Sequence, residues 1–462
     1  MIAMAHSPND LAQGFPASTD AQWRSLVDKV LKGADFEKRL VRTTLDGIKI
    51  QPLYRAGPTG VDAGVAPQGA GTWDIRARVI ETTAQAARTT ILDELKGGVT
   101  SIALQIAAPG QIGLPVSEIE AALEGVELDA AGIAFEASAN AVAAAAALKA
   151  LWSKRGLPPA KVFGSFAFDP IGTLARTGVS QDGIAADLKA AGQLLADARG
   201  FAYVSVLRAD GTVYHRAGAS EAQELAAVLA TVVAYLRAAE AQGVAPKEAW
   251  TKIDVRLAVD ADQVLGLAKL RAARRLLNEI AAAVGAADVA GSMILTAETA
   301  ERMFSQRDAW TNMLRSTLAV ATAAMGGAQV ITTLPHTHAL GQADGFARRI
   351  ARNIHHVLAE ESALGRVADP AGGSFAIESL TDELARTAWG LFQEIEKGGG
   401  IVAALTSGAL QKQIAAAAEK RARDIATGRI ELTGSSTFPK LGDDGIAVAS
   451  WPAAAAIQPG AL

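Results

Sequence analysis

The chain has 462 residues, half of them apolar and a fifth charged, which is the balance of a globular protein with a large core and more than one unit. Its formal net charge of −4, with no run of like charges, lacks the basic stripe that nucleic acid or an anionic membrane demands, so neither is expected as a partner. The absence of cysteine excludes disulfides, thiolate nucleophiles and cysteine-ligated zinc or iron–sulfur centres, and fits a reducing compartment.

The first twenty residues carry neither lysine nor arginine and no long apolar stretch, so they do not form a signal or transit peptide, and a cytoplasmic location is expected. From Asp20 to Lys32 the apolar residues Trp23, Leu26, Val27, Val30 and Leu31 fall on one face of a predicted helix. A strand-like stretch, Gly47 to Tyr54, leads into the Gly- and Pro-rich linker of residues 56–71, so residues 1–71 form a separable arm.

Residues 72–397 alternate short β-branched runs with long amphipathic segments. Eight runs are counted: SIALQI, GIAFEA, KVFGSFAF, AYVSVL, KIDVRLAV, GSMILT, AQVITT and a brief GRVAD from Gly365 to Asp369. Helical stretches lie between them, among them Ile184 to Ala198, Glu221 to Gln242, Ala261 to Val284 and Gly345 to Ala363. The Ala-rich stretch Ala139 to Leu151 is too short and too weakly apolar to span a bilayer. Eightfold strand–helix alternation predicts an α/β fold of the (β/α)8 TIM-barrel type. An open doubly wound sheet should show a Gly-rich phosphate turn after its first strand, and Ala108 to Leu114 matches that poorly. Residues 398–462 add helices through Gln411 to Thr427, then a tail from Glu431 to Leu462 expected to lie extended on a surface.

In such a barrel, chemistry gathers where the strands end, so candidates are found by position. By this count they are Asp169; then Arg208, Asp210, Tyr214 and His215; then Asp260, Glu298, the pair His336 and His338, and Asp369. His336 with His338, or His355 with His356, invite a metal, but no carboxylate completes a shell near the first pair. Adjacent helical histidines point apart, so a solvated loop and a helix edge are the simpler expectation and no metal is assigned. His215 is the best acid/base candidate. Asp169 and Glu298 are as readily helix caps as bases, and Asp369 to Ser374, DPAGGS, reads as a tight turn as well as a phosphate cradle.

Several stretches, in order over nearly the whole chain, resemble the cobalamin-dependent acyl-CoA mutases: DGIKIQPLY, WDIR, AGASEAQELA, AKLRAARRL, GGAQVITTL, ARRIARNI with the EES of Glu360 to Ser362, and ADPAGGSF. The resemblance implies a substrate-binding (β/α)8 barrel, in agreement with the strand count. It also implies adenosylcobalamin, whose bond between cobalt and carbon breaks to give a radical while the protein positions and polarises the substrate thioester.

Three contact sets of the catalytic members have changed. Arg78 stands where their WDIR motif continues to a tyrosine, Thr212 and Val213 stand where a Tyr-His pair holds the thioester carbonyl, and Thr296, Ala297, Glu298 and Thr299 replace His-x-Gln-Thr. Tyr214 and His215 are themselves a Tyr-His pair displaced by two residues, which keeps His215 open as a catalytic alternative. No Asp-x-His-x-x-Gly loop of a cobalamin module occurs in the sequence, so no flavodoxin-like cobalamin domain is expected, and the cofactor would be held by a partner. The resemblance thus implies a non-catalytic small subunit of a heterodimeric methylmalonyl-CoA mutase that stabilises a catalytic large subunit, with the arm from Asp20 to Tyr54 as the expected contact. The alternatives are a catalytic barrel that borrows cobalamin from a separate subunit, with His215 as its acid, and an unrelated barrel hydrolase using the histidine loop.

Overall fold

In a strand such as Ile253–Val259, IDVRLAV, alternate residues point to opposite faces. Ile253, Val255, Leu257 and Val259 form one buried apolar row, while Asp254 and Arg256 lie on the other face. A sheet built from such strands hides its apolar row under helices and turns its polar row toward its own axis. The computed structural model describes residues 18–55, 71–136, 138–180, 182–443 and 445–454. The expected leader-free start at residues 1–17, most of the linker (56–70) and the end of the tail (455–462) lie outside the described residues.

Two compact units result, Met1–Tyr54 and Arg55–Leu462. The first holds α1 (Asp20–Leu31), α2 (Phe36–Leu40) and a hairpin of β1 (Arg42–Thr43) and β2 (Lys49–Ile50), with Arg42 opposite Ile50. Thr19 and Gln22 close a reciprocal capping box that starts α1, and Asp35 caps α2. The Trp23 ring meets Phe36 edge-on at 6.2 Å, and the Arg24 guanidinium lies over the Phe36 ring, 3.7 Å from its centre. Leu26 and Val30, on the same helix, are 61% and 79% exposed.

The second unit is a closed parallel barrel of eight strands. In chain order they are β3 (Asp74–Val79), β4 (Ser101–Leu104), β5 (Gly132–Phe135), β6 (Phe163–Phe168), β7 (Tyr203–Asp210), β8 (Ile253–Val259), β9 (Ile294–Thr299) and β10 (Val330–Thr332). Val330 of β10 pairs with Asp74 of β3, which closes the ring. The expected TIM-barrel fold is therefore present, with one correction to its count. GRVAD is not a strand: Leu364–Arg366 is a 3-10 turn and the rest is loop. The missing strand is the first, Asp74–Val79, whose DIRARV alternates charged with apolar residues and reads as polar. Each strand after it consequently moves up one place.

Helices α3 (Ala84–Lys96), α4 (Ile119–Ala122), α5 (Ala141–Lys154), α6 (Pro170–Thr177), α7 (Ile184–Asp197), α8 (Thr212–Arg216), α9 (Glu221–Glu240), α10 (Pro246–Trp250), α11 (Gln263–Ala283), α12 (Thr311–Met325) and α13 (Gly345–His356) follow in sequence around the strands. Among the described residues α9 alone is long and apolar enough to cross a membrane, and it is a buried wall helix. Three further helices, α14 (Phe375–Lys397), α15 (Gly400–Thr406) and α16 (Ala409–Ala426), belong to the same compact unit, and α14 packs along α9 and α11. The tail then runs without regular structure along the loops at the strand ends. Arg315 donates to the Thr433 carbonyl at 2.6 Å, and Gln342 pairs with Ala449 in an isolated bridge. Within β6, Gly164 has a φ of +147°, and a Cβ there would lie 1.8 Å from the Ile133 carbonyl oxygen, so only glycine lets β5 and β6 approach this closely.

Candidate functional site at the barrel mouth

Barrels of this type commonly fill their axis with branched apolar side chains. Here the axis is ionic. Near its N-terminal end Arg76 reaches Asp74 at 3.0 Å and the Ser101 hydroxyl at 2.8 Å. Further along, Arg208 of β7 binds Asp254 of β8 through two nitrogens, at 2.6 and 3.3 Å, and Ser165 of β6 donates to the same carboxylate at 2.5 Å. At the mouth Arg256 is the hub. Its guanidinium meets Asp210 at 2.5 Å, Glu136 at 2.7 Å and Glu298 at 3.3 Å. Arg78 closes the ring, donating to Gln105 at 2.7 Å and lying 3.6 Å from Glu298 and 3.9 Å from Glu136.

Above this ring opens a cavity of about 420 Å³, and Arg78, Glu136, Asp210, Thr212, Val213, His215, Arg256 and Glu298 all line it. Arg256 and Arg78 govern its electrostatics. Burial, the largest single influence, would raise all three carboxyls, but Arg256 with Arg208 and the hydrogen bonds of Arg256 and Thr212 outweighs it at Asp210, and Arg256 with Arg78 and Arg208 at Glu136, holding both below the usual carboxylate range. Glu298 goes the other way because burial dominates at its longer contact, and the nearby Glu136 and Asp210 charges add to the rise. Glu298 is thus the member that takes a proton first.

The positions singled out from the resemblance are not equivalent. Arg78 and Glu298 are parts of one ion network, Thr212 ties itself to Asp210 through its hydroxyl at 2.7 Å, and Val213 lines the cavity with a side chain that has no hydrogen-bonding group. Thr296 is buried in β9 and does not line the cavity.

His215 sits on α8, just after β7, and reaches the cavity. Burial, then Lys269, Arg302 and Arg421, press its pKa well below that of a free histidine, so the ring is neutral at pH 7. Its Nε2 is 3.9 Å from Asp260 and has no hydrogen-bond partner among the described residues. His215, Glu221 and Asp260 bring their ligating atoms within 4.8 Å of one another, an arrangement that would suit a cation. The Arg302 guanidinium fills that role, at 3.1 Å from Glu221 and 3.5 Å from Asp260.

The other histidines are corrected from solvated loop and helix edge to packed groups. His336 is buried with its ring stacked on Trp310 at 5.2 Å, and His338 lies 3.7 Å from Glu301. His355 is buried. The Trp73 indole donates to its Nδ1 at 2.8 Å, so Nε2 carries the proton and donates to the Thr333 hydroxyl at 2.7 Å. Burial holds its pKa at about 3. Trp73→Phe should leave Nδ1 buried without a donor and cost about 1–3 kcal/mol in urea-unfolding free energy. His356 shares a hydrogen bond of 3.0 Å with the Gly97 carbonyl.

Asp369 is also moved. It ends no strand, and together with Trp73, Gln329 and Gly365 it lines a hollow at the opposite end of the barrel. There Arg271 of α11 is gripped between Asp369 and Glu378, and Gly372 N–H returns to the Asp369 carbonyl, so DPAGGS is an ion-paired turn entering α14. Asp169 caps α6 through the Gly172 amide and accepts a hydrogen bond from Tyr235. Sequence reasoning missed Arg256, Glu136, Gln105 and Arg302. The available signal, for Arg256, was a charged residue at every second position of an otherwise apolar strand, IDVRLAV.

The methylmalonyl-CoA mutase family model matches residues 114–453. The chain belongs to the methylmalonyl-CoA mutase family. It is 42% identical over 452 residues to the protein named methylmalonyl-CoA mutase small subunit of Streptomyces virginiae, an alignment covering 93% of this chain and 72% of that protein. To the protein of the same name from Propionibacterium freudenreichii subsp. shermanii it is 35% identical, over 96% of this chain and 72% of the other. A protein named simply methylmalonyl-CoA mutase, from Cereibacter sphaeroides, is 27% identical over 92% of this chain and 65% of its own length. Of the described histidines, His355 uses both ring nitrogens, His338 and His356 are held against Glu301 and Gly97, and His336 is buried under Trp310, so His215 is the one that could offer an open ring nitrogen to a cofactor at the cavity.

Proposed function

We propose that this chain is the non-catalytic small subunit of an adenosylcobalamin-dependent methylmalonyl-CoA mutase, acting in the cytoplasm by supporting a large subunit that holds the cofactor and interconverts methylmalonyl-CoA and succinyl-CoA. The observation that carries this is the closed ion network of Arg256, Arg78, Asp210, Glu136 and Glu298 at the barrel mouth. A mutase barrel must hold and polarise a thioester carbonyl with free hydrogen-bond donors in a dry site. The two arginines of the network are already engaged by its carboxylates and Gln105, and the neighbouring Thr212 donates to Asp210. The names of the relatives add support, since a small subunit has a partner. The arm, with its exposed Leu26 and Val30, is one proposed contact, and removing residues 1–60 should weaken the complex.

The purified chain, given adenosylcobalamin and methylmalonyl-CoA, is expected to form no succinyl-CoA, whereas measurable turnover would refute the proposal. The unpartnered His215 Nε2 at the cavity favours the second reading, a catalytic barrel. That reading requires His215→Ala to cut the rate of the assembled enzyme by on the order of 10²-fold or more. The small-subunit reading expects less than a twofold change.

A further inference from the structure

The tail crosses the barrel mouth in two parts that are held differently. In the first, residues 431–437, the amides of Ser435, Ser436 and Thr437 all return to the Leu432 carbonyl, and the Arg315 side chain and a hydroxyl pair, Ser305 with Ser435 at 2.8 Å, tie the turn to the barrel. Asp443 then makes an anchor, accepting from the Asp308 amide at 2.7 Å. Beyond it, residues 445–454 belong to no helix or strand. Among the described residues they are fixed by the hydrogen bond from the Gln342 amide to the Ala449 carbonyl, at 2.8 Å, and by Trp451, whose ring meets His338 edge-on at 5.6 Å. A segment with so few backbone bonds opens locally far more readily than the barrel strands beside it.

The crossing point is made for close approach. A Cβ at Gly341 would lie 2.3 Å from the Ala449 carbonyl oxygen and 2.9 Å from the Val448 side chain, so any larger residue there lifts the strap. The φ of Gly341 is not in the left-handed region, so its own backbone does not call for glycine. Where Trp451 comes down it lines a chamber of about 70 Å³ together with Val79, Leu334, Pro335, His338 and Arg78. Such a space holds little more than water, but withdrawal of the indole would add the ring's own volume to it. Arg78 also lines the larger mouth cavity, and His338 lies 3.7 Å from Glu301, another of that cavity's lining residues. The indole therefore stands at the side of the mouth.

We propose that residues 445–451 are a latch and Trp451 its removable plug, and that lifting the strap turns the chamber into a slot for the planar apolar ring of a small aromatic molecule. The lining suits that class. Val79, Leu334 and Pro335 supply apolar walls, and the Arg78 guanidinium is a cation that a π face can meet. The inference holds whether or not the barrel is catalytic.

The test uses the full chain, with free indole as the probe. Gly341→Ala keeps every apolar side chain of the chamber and alters only the crossing. By titration calorimetry it should bind indole at least about tenfold more tightly than wild type. Hydrogen exchange at the amides of residues 336–343 should quicken by a similar factor while the barrel strands keep their protection. A chain ending at Asp443 should gain the same affinity, and it decides the matter if Gly341→Ala cannot be obtained folded. No indole binding by either variant, or wild-type binding as tight as theirs, overturns the slot. Unchanged exchange in Gly341→Ala shows that the strap does not lift and overturns the latch. A folded Gly341→Ala that loses protection throughout the barrel does so too, because Trp451 would then be a fixed part of the core.

Discussion

Arg256→Met is expected to lower the unfolding free energy by at least about 3–5 kcal/mol, the scale found when one partner of a buried ion network is removed. The substitution leaves Asp210, Glu136 and Glu298 around an apolar side chain, each within the barrel and each having relied on the same guanidinium. Three carboxyls cannot all stay ionised there, so the variant should also bind protons on folding and recover part of its stability in acid. Glu298→Gln makes the contrast. Its carboxyl already tends toward the neutral form, and its contact with Arg256, at 3.3 Å, is the longest of the three. It should cost no more than about 1 kcal/mol, near the net worth of an ordinary hydrogen bond. Urea unfolding of both variants at pH 5 and pH 7.5 measures this, and equal losses would show that Arg256 is not the hub.

Asp169→Asn should gain on wild type steadily as pH rises from 4 to 7, by about 1.4 kcal/mol per pH unit and roughly 4 kcal/mol in all. Burial, reinforced by Asp210, pushes the Asp169 carboxyl up to about 7, and the hydrogen bonds from Tyr235 and Gly172 only partly oppose this. The folded chain therefore holds a proton there that the unfolded chain has released above about pH 4. A group whose folded pKa is raised contributes its stability below the unfolded value and loses it as pH climbs through the folded one. Asparagine keeps an oxygen for the Gly172 amide and for Tyr235 and has no proton to lose. The difference between variant and wild type isolates this residue from the buried histidines His215, His336 and His355, whose lowered pKa values act in the opposite sense in both proteins. A pH-independent difference would mean that Asp169 is ionised in the folded state.

Strand–helix alternation, the helical arm, the absence of thiol chemistry and the ordered family motifs were all legible in the sequence. Each is set by local spacing, by composition or by a contiguous string of residues. β3 escaped because its inward positions are Arg76 and Arg78, and a lumen-facing arginine has the same letter as a solvated one. The same ambiguity hid Glu136 and Arg256, which lie 120 positions apart in the chain and 2.7 Å apart in space. It also sent Asp369 to the mouth, when its bond to Arg271 holds it at the other end. The sequence by itself determined strand–helix alternation of the barrel type with the mutase family's motifs in order, and it singled out Arg78, Thr212, Val213, Thr296 and Glu298 from that resemblance. Only the tertiary structure decided what those residues became. A charged side chain is exposed, paired or buried according to which distant strand stands beside it, and closure of the barrel between β10 and β3 puts these charges against each other.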